Sequence, residues 1–127
     1  METMKRLKGV LLKEADKPNI NGIAYSKEAL ESIHNQIQEN KGRFLGELGQ
    51  SGVSGTNVHI KNAVLIVEDS RFDGKELSVD LAFLDDSKLS LPDLTPALRT
   101  AATTIRDSVV QKDVKLIAVD LVRKDEV

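Results

Sequence analysis

The chain has 127 residues, a formal net charge of −2 and no cysteine, and 40% of its residues are hydrophobic while 30% are charged. These values predict one folded domain over residues 1–127 and exclude disulfides, thiolate metal sites and a cysteine nucleophile. Because the charge is nearly balanced and no apolar run reaches the ~18 residues of a membrane span, we expect neither nucleic acid nor a membrane as a partner.

The N-terminal third predicts a strand followed by a helix. The strand covers residues 5–14 and ends in a polar turn. Ser26 is a suitable N-cap for a helix over residues 26–41, and Gly42 is a natural left-handed stop for that helix. The apolar face of the helix repeats at helical spacing and contains Ala29, Leu30, Ile33 and Ile37.

The middle of the chain predicts a flexible loop and a β-hairpin. The loop covers Gly49–Thr56, which is rich in glycine and serine. Strands over residues 57–68 and 75–84 flank Asp73-Gly74, a strong hairpin signal, so we expect the two strands to pair antiparallel. The second strand alternates in hydrophobicity, with Leu77, Val79, Leu81 and Phe83 on one face.

The C-terminal third predicts a second helix and a last strand. Thr95-Pro96 supplies an N-cap followed by a proline, which favours a helix over residues 96–111. Its apolar stripe would contain Leu98, Ala101, Ala102, Ile105 and Val109. Residues 113–123 are apolar on both faces, which is typical of a central strand. The whole pattern predicts an α+β fold, a mostly antiparallel sheet or partly open barrel with two helices at 26–41 and 96–111.

Two short motifs carry a resemblance to a known family. Residues 18–26 read Pro-Asn-Ile-Asn-Gly-Ile-Ala-Tyr-Ser, and residues 46–49 read Gly-Glu-Leu-Gly. They resemble the tailed-phage prohead (capsid maturation) proteases, which often have Asn-x-Asn-Gly-Arg-x-Tyr-Pro and later Gly-x-Leu-Gly-His. The segment around His59 and the last strand around Val119–Val122 also look like parts of that family. The resemblance implies a compact, β-rich protease fold and a place among phage head proteins.

The chain departs from these proteases where their chemistry lies. Gln50 replaces the histidine that follows Gly-x-Leu-Gly, and a glutamine side chain cannot take up a proton at neutral pH. Relatives place a serine in a Gly-Val-Ser-Ser-Arg-Gly-like segment before the last strand, but this chain has no glycine after Gly74. That interval falls in the predicted second helix, where the backbone N–H groups around Ser108 would already be paired. The departures imply a degenerate, non-catalytic relative that keeps the fold.

Other candidate residues have simple structural interpretations. His34 lies near the edge of the first helix's apolar face and is interpreted as a boundary histidine. Ser51 and Ser54 lie in the glycine-rich loop, where the spacing matches neither Gly-x-Ser-x-Gly nor a P-loop. If the chain is a protease, His59 would be its base and Ser54 its nucleophile, five positions apart in sequence.

One acidic cluster is the candidate metal site. It contains Asp80, Asp85 and Asp86. Their spacing is not that of a calcium loop, and the connector that follows has no glycine. We therefore expect no metal and no cofactor.

Two functions from different classes follow. In the first, the chain is a phage virion structural protein, a capsid decoration or head-associated subunit that lacks the catalytic serine. Its partners would be capsid or other virion proteins, and it would be a homo-oligomer or lattice-bound subunit of the virion, present in the host cytoplasm during assembly. Binding would use a sheet edge, the chain ends and a contact loop. That interaction loop contains Gln50, Ser51, Gly52, Val53, Ser54 and Gly55.

In the second, the chain is an active prohead maturation serine protease that uses His59. This function requires His59 to meet a loop serine such as Ser54. The first function accounts for the missing serine segment without that requirement, so a non-enzymatic role is favoured. A host protein with coincidental motifs is a third interpretation.

Overall fold

The computed structural model describes residues 5–19, 22–47, 63–83, 94–101 and 104–123. Its elements are β1 (Lys5–Glu14), β2 (Ala24–Tyr25), α1 (Lys27–Glu39), β3 (Phe44–Glu47), β4 (Ala63–Phe72), β5 (Glu76–Phe83), β6 (Leu94–Ala101), β7 (Ile105–Arg106), β8 (Val109–Val110) and β9 (Lys115–Arg123). The strands form three open sheets, with the orders β1-β5-β4-β3, β2-β8-β7 and β6-β9. The chain is therefore an α+β protein, as predicted, and its sheets are not closed into a barrel.

Helix α1 begins after its predicted N-cap, Ser26, and ends at Glu39, two residues before the predicted end at 41. The Ser26 hydroxyl accepts a hydrogen bond from the Ala29 backbone N–H at 3.0 Å, which satisfies one of the free donors of the first turn. The chain leaves the helix at Asn40 and passes through Gly42 at φ +78°. The predicted apolar face is completely buried, at 0% exposure for Ala29, Leu30, Ile33 and Ile37.

Gln36 on α1 ties the helix to the start of β9. Its side-chain Nε2 donates to the Val114 carbonyl at 3.0 Å, and its Oε1 accepts from the Leu116 N–H at 2.9 Å. The amide therefore pairs with the backbone as a neighbouring strand would. Val114 and Leu116 are buried, so these two backbone groups depend on Gln36 for their hydrogen bonds.

The hairpin between β4 and β5 is confirmed. The Asp73 Oδ1 atom accepts hydrogen bonds from the N–H groups of Lys75 and Glu76 at 2.9 and 2.7 Å, and Gly74 adopts φ +97°. The two strands pair antiparallel. The predicted inward face of β5 is buried, with Leu77, Val79, Leu81 and Phe83 at 2% exposure or less.

A bulge in β1 is fixed by a buried carboxylate on β5. The pairing of β1 with β5 is irregular between Leu7 and Val10, and Gly9 there has φ +67°. The Gly9 N–H donates to the Asp80 Oδ1 atom at 2.9 Å. Arg71 on β4 holds the same carboxylate with two hydrogen bonds, at 2.8 and 3.0 Å. Asp80 therefore joins three adjacent strands.

The helix predicted at 96–111 is wrong. Residues 94–101 form β6, which pairs antiparallel with β9. Residues 105–106 and 109–110 form the short strands β7 and β8, which are joined through Asp107 and Ser108. Both turn residues have positive φ, at 51° and 65°, as a two-residue hairpin turn requires.

Strand pairing outweighs the helical spacing of apolar residues in this segment. The apolar strand β9 needs a neighbour for its backbone groups, and β6 provides it, with Leu98 opposite Val119 and Thr100 opposite Leu116. Pro96 is compatible with β6 because this strand pairs with β9 on one side, and edge strands tolerate proline.

Strand β9 is buried on both faces, as its composition predicts, but it is not central in a larger sheet. In the described ranges its sheet has two strands, β6 and β9. Its other side lies against β3 of the four-stranded sheet. A Cβ atom on Gly46 would collide with the Val119 carbonyl oxygen and would lie 2.8 Å from the Leu65 Cδ1 atom. The two sheets therefore meet where β3 and β9 are in backbone contact.

Candidate functional site

A cluster of three charged side chains lies where these two sheets meet. We call Glu47 on β3, Arg99 on β6 and Asp120 on β9 the Arg99 cluster. The Arg99 Nε and Nη2 atoms donate to Asp120 Oδ2 and Oδ1 at 2.8 and 2.9 Å, and Nη2 also lies 3.3 Å from Glu47 Oε1. The Glu47 backbone N–H donates to Asp120 Oδ1 at 2.9 Å. Every charge in the cluster is therefore held by an opposite charge or a backbone donor.

The cluster is shielded from solvent and strongly paired. The side chains of Arg99, Glu47 and Asp120 are 11%, 15% and 12% exposed. Burial acts to lower the pKa of Arg99, but the hydrogen bonds and negative charges of Asp120 and Glu47 outweigh it and raise that pKa above its usual value. Arg99 is therefore a permanent cation between two carboxylates. It cannot act as a proton donor or acceptor near neutral pH.

The Gly-Glu pair at residues 46–47 has a structural explanation. Gly46 has no side chain, which lets β3 approach the backbone of β9 at Val119. Glu47 then directs its N–H to Asp120 and its carboxylate to Arg99. The motif thus joins the two sheets through both its backbone and its charge.

Ala97 lies beside the cluster. In the antiparallel register Ala97 is directly opposite Asp120, and Leu98 is opposite Val119. Opposite residues in such a pair project from the same face, so Ala97 shares the face of Asp120 and of Arg99 two positions along β6. Leu98 projects from the other face and packs against the hydrophobic core. Position 97 is therefore the cluster's neighbour on β6, and it carries only a methyl group.

The motif at residues 18–26 places Tyr25 against β6, the strand that carries Arg99. The Asn19 side chain accepts a hydrogen bond from the Ile23 N–H at 3.0 Å, and Gly22 adopts φ +78°. Tyr25 follows this turn, is 7% exposed, and its hydroxyl lies 2.8 Å from the Thr100 Oγ1 atom on β6. Burial raises the pKa of Tyr25, so its hydroxyl is neutral at physiological pH.

Several sequence-predicted site residues lie outside the described residues. They are Gln50, Ser51, Gly52, Val53, Ser54, Gly55 and His59, together with Asp85 and Asp86. Asp80, the remaining acidic candidate, is bound by Arg71 and the Gly9 N–H. Among the described residues, no three histidine or acidic side chains come together as metal ligands do.

Two other candidates are placed by the structure. The His34 Nδ1 atom lies 2.8 Å from the Ser70 hydroxyl, so His34 sits at the boundary between α1 and β4. Ser108 was predicted inside a helix and instead occupies the exposed turn between β7 and β8. Neither residue belongs to the Arg99 cluster. In the ranges that the structure covers, no helix has the length and apolar character needed to cross a membrane.

The sequence alone does not reveal the Arg99 cluster. Glu47 and Asp120 both lie in segments that resemble the prohead proteases, and this resemblance is the sequence signal that could have singled out the two residues. Arg99 and Ala97 were hidden because their segment was assigned to a helix. Once that segment is a strand, Arg99 lies on the same face as Asp120, diagonally across the strand pair, with Ala97 directly opposite Asp120.

Comparison with known proteins identifies the fold. No protein-family model and no curated protein matches the sequence. Among solved structures, the capsid assembly protease gp21 of bacteriophage T4 is similar, with a TM-score of 0.66 and 20% identity. The match covers 93% of this chain and 90% of gp21. The chain has a prohead protease-like fold. This confirms the fold expected from the two sequence motifs.

Proposed function

We propose that the chain is a phage head-associated structural protein, a capsid decoration or other virion subunit, built on a prohead protease-like fold without the catalytic serine. The observation that carries this proposal is the position of Ala97 on the face of Arg99 and Asp120. An alanine methyl group cannot attack a peptide carbonyl, because nucleophilic catalysis requires a hydroxyl, thiol, amine or carboxylate.

The resemblance to prohead proteases explains why position 97 matters. The catalytic serine of prohead proteases lies in a Gly-Val-Ser-Ser-Arg-Gly-like segment before their last strand. In this chain the last strand is β9, and the strand that precedes it in sequence and pairs with it over eight residues is β6. Matching the arginine of that segment to Arg99 puts Ala97 and Leu98 at the two serine positions. Leu98 packs into the core, so Ala97 is the position that would present a serine to the cluster.

The proposal also includes the loss of the catalytic base. Gln50 stands where relatives carry histidine, and glutamine has no titratable nitrogen. Loss of both the nucleophile and the base, with the fold retained, fits a protein that binds the head rather than one that cuts it. The similarity to gp21 supports the prohead protease-like fold. Binding to the phage head is a further step that we propose.

We propose that binding uses the loop Gln50–Gly55, which carries small residues around Val53. The partners would be capsid or other virion proteins, with the chain present as a homo-oligomer or bound to the capsid lattice. It would be made in the host cytoplasm and retained in the virion.

Co-sedimentation with empty phage heads tests this function. The purified chain should pellet with the heads at a saturating ratio, and Val53→Asp should reduce the bound amount at least several-fold. Ile105→Asp is the matched control, because Ile105 is 52% exposed on the short strand β7, and it should bind like the parent. A folded parent chain that stays in the supernatant at every head concentration would refute a head-binding role.

A further inference from the structure

We draw no further inference here: the strongest candidate, the Ser70–His34 pair between β4 and α1, carries nothing because Ser70 is 4% exposed and its hydroxyl is already held by His34 and Gln38, so a substrate has no access to it.

Discussion

Arg99 on β6 and Asp120 on β9 form an ion pair with two hydrogen bonds, Nε to Oδ2 at 2.8 Å and Nη2 to Oδ1 at 2.9 Å. Glu47 on β3 completes the cluster at 3.3 Å from Nη2. The Arg99–Asp120 pair connects the two strands of the β6-β9 sheet. The contact of Arg99 with Glu47 connects this sheet to β3 of the four-stranded sheet. The Arg99 cluster therefore connects the two-stranded sheet to the four-stranded sheet.

Removing the Arg99 charge should be costly. Arg99→Met leaves two mostly buried carboxylates without their cation, so we expect the free energy of unfolding to fall by about 3–5 kcal/mol. Arg6→Met is the control, because its pair with Glu68 is 47% and 35% exposed and should contribute less than about 1 kcal/mol. Urea denaturation of both variants gives the comparison. Equal losses would show that the Arg99 cluster is not a major contributor to stability.

Gly46 should not tolerate a side chain. The alanine Cβ would collide with the Val119 carbonyl oxygen, which is backbone and cannot rotate away. We expect Gly46→Ala to lower stability by at least about 3 kcal/mol, at the upper end of overpacking effects.

Gly42→Ala is the matched control for that variant. Gly42 has φ +78° but open space around its Cβ position, so its cost is the left-handed conformation alone, about 1–2 kcal/mol. Thermal or urea unfolding of the two variants measures their stabilities. The difference between them separates the cost of the steric collision at Gly46 from the cost of the left-handed backbone at Gly42. If Gly42→Ala were the more damaging change, the close contact of β3 with β9 would be wrong.

Gln36 should protect the backbone carbonyl of Val114 and the backbone N–H of Leu116, where β9 begins. Gln36→Ala leaves the Val114 carbonyl and the Leu116 N–H without partners in a buried setting, which should cost about 2 kcal/mol. Amide hydrogen exchange at Leu116 should accelerate. Glu39→Ala, an exposed change on the same helix, should stay within about 0.5 kcal/mol of the parent. Unchanged exchange at Leu116 would contradict the described pairing.

Acid should weaken the protein partly through Asp80. The hydrogen bonds from Arg71 are the largest influence on Asp80 and, with the Gly9 N–H, lower its pKa despite burial. A carboxylate with a lowered folded-state pKa contributes stability above its unfolded pKa of about 3.9 and loses it as pH falls through the folded pKa. The Asp80→Asn variant should therefore be less stable than the parent at pH 7. Its free energy of unfolding should also fall less steeply than that of the parent as the pH is lowered towards 2. Parallel stability curves for the two proteins would show that Asp80 does not contribute this effect.

Elements whose deciding sequence signal is local can be predicted from the sequence. Helix α1 carries its own start at Ser26 and its own stop at Gly42, and the β4–β5 hairpin carries Asp73-Gly74. These signals lie within a few residues of the structure they specify, so they could be interpreted from one sequence. Both elements are confirmed, although α1 ends two residues before its predicted end and β4 extends to Phe72, four residues beyond its predicted end.

The segment 96–111 and the site depended on distant partners. Leu98, Ile105 and Val109 have helical spacing, but Leu98 packs from β6 while the other two belong to a separate hairpin. Arg99 meets Asp120 across 21 residues and Glu47 across 52 residues. No local pattern encodes such contacts, so the cluster and the place of Ala97 opposite Asp120 become visible only with the strand pairing.

The most direct test of the central claim is covalent labelling of the purified chain with a serine-reactive fluorophosphonate, followed by intact mass spectrometry. A parallel sample without the probe is kept for a day, and an active serine protease serves as the positive control. The proposed function, a head-associated protein without a catalytic serine, predicts an unlabelled chain of unchanged mass in both samples. Stoichiometric labelling of one serine, such as Ser54, or discrete self-cleavage would show an active protease and contradict the account.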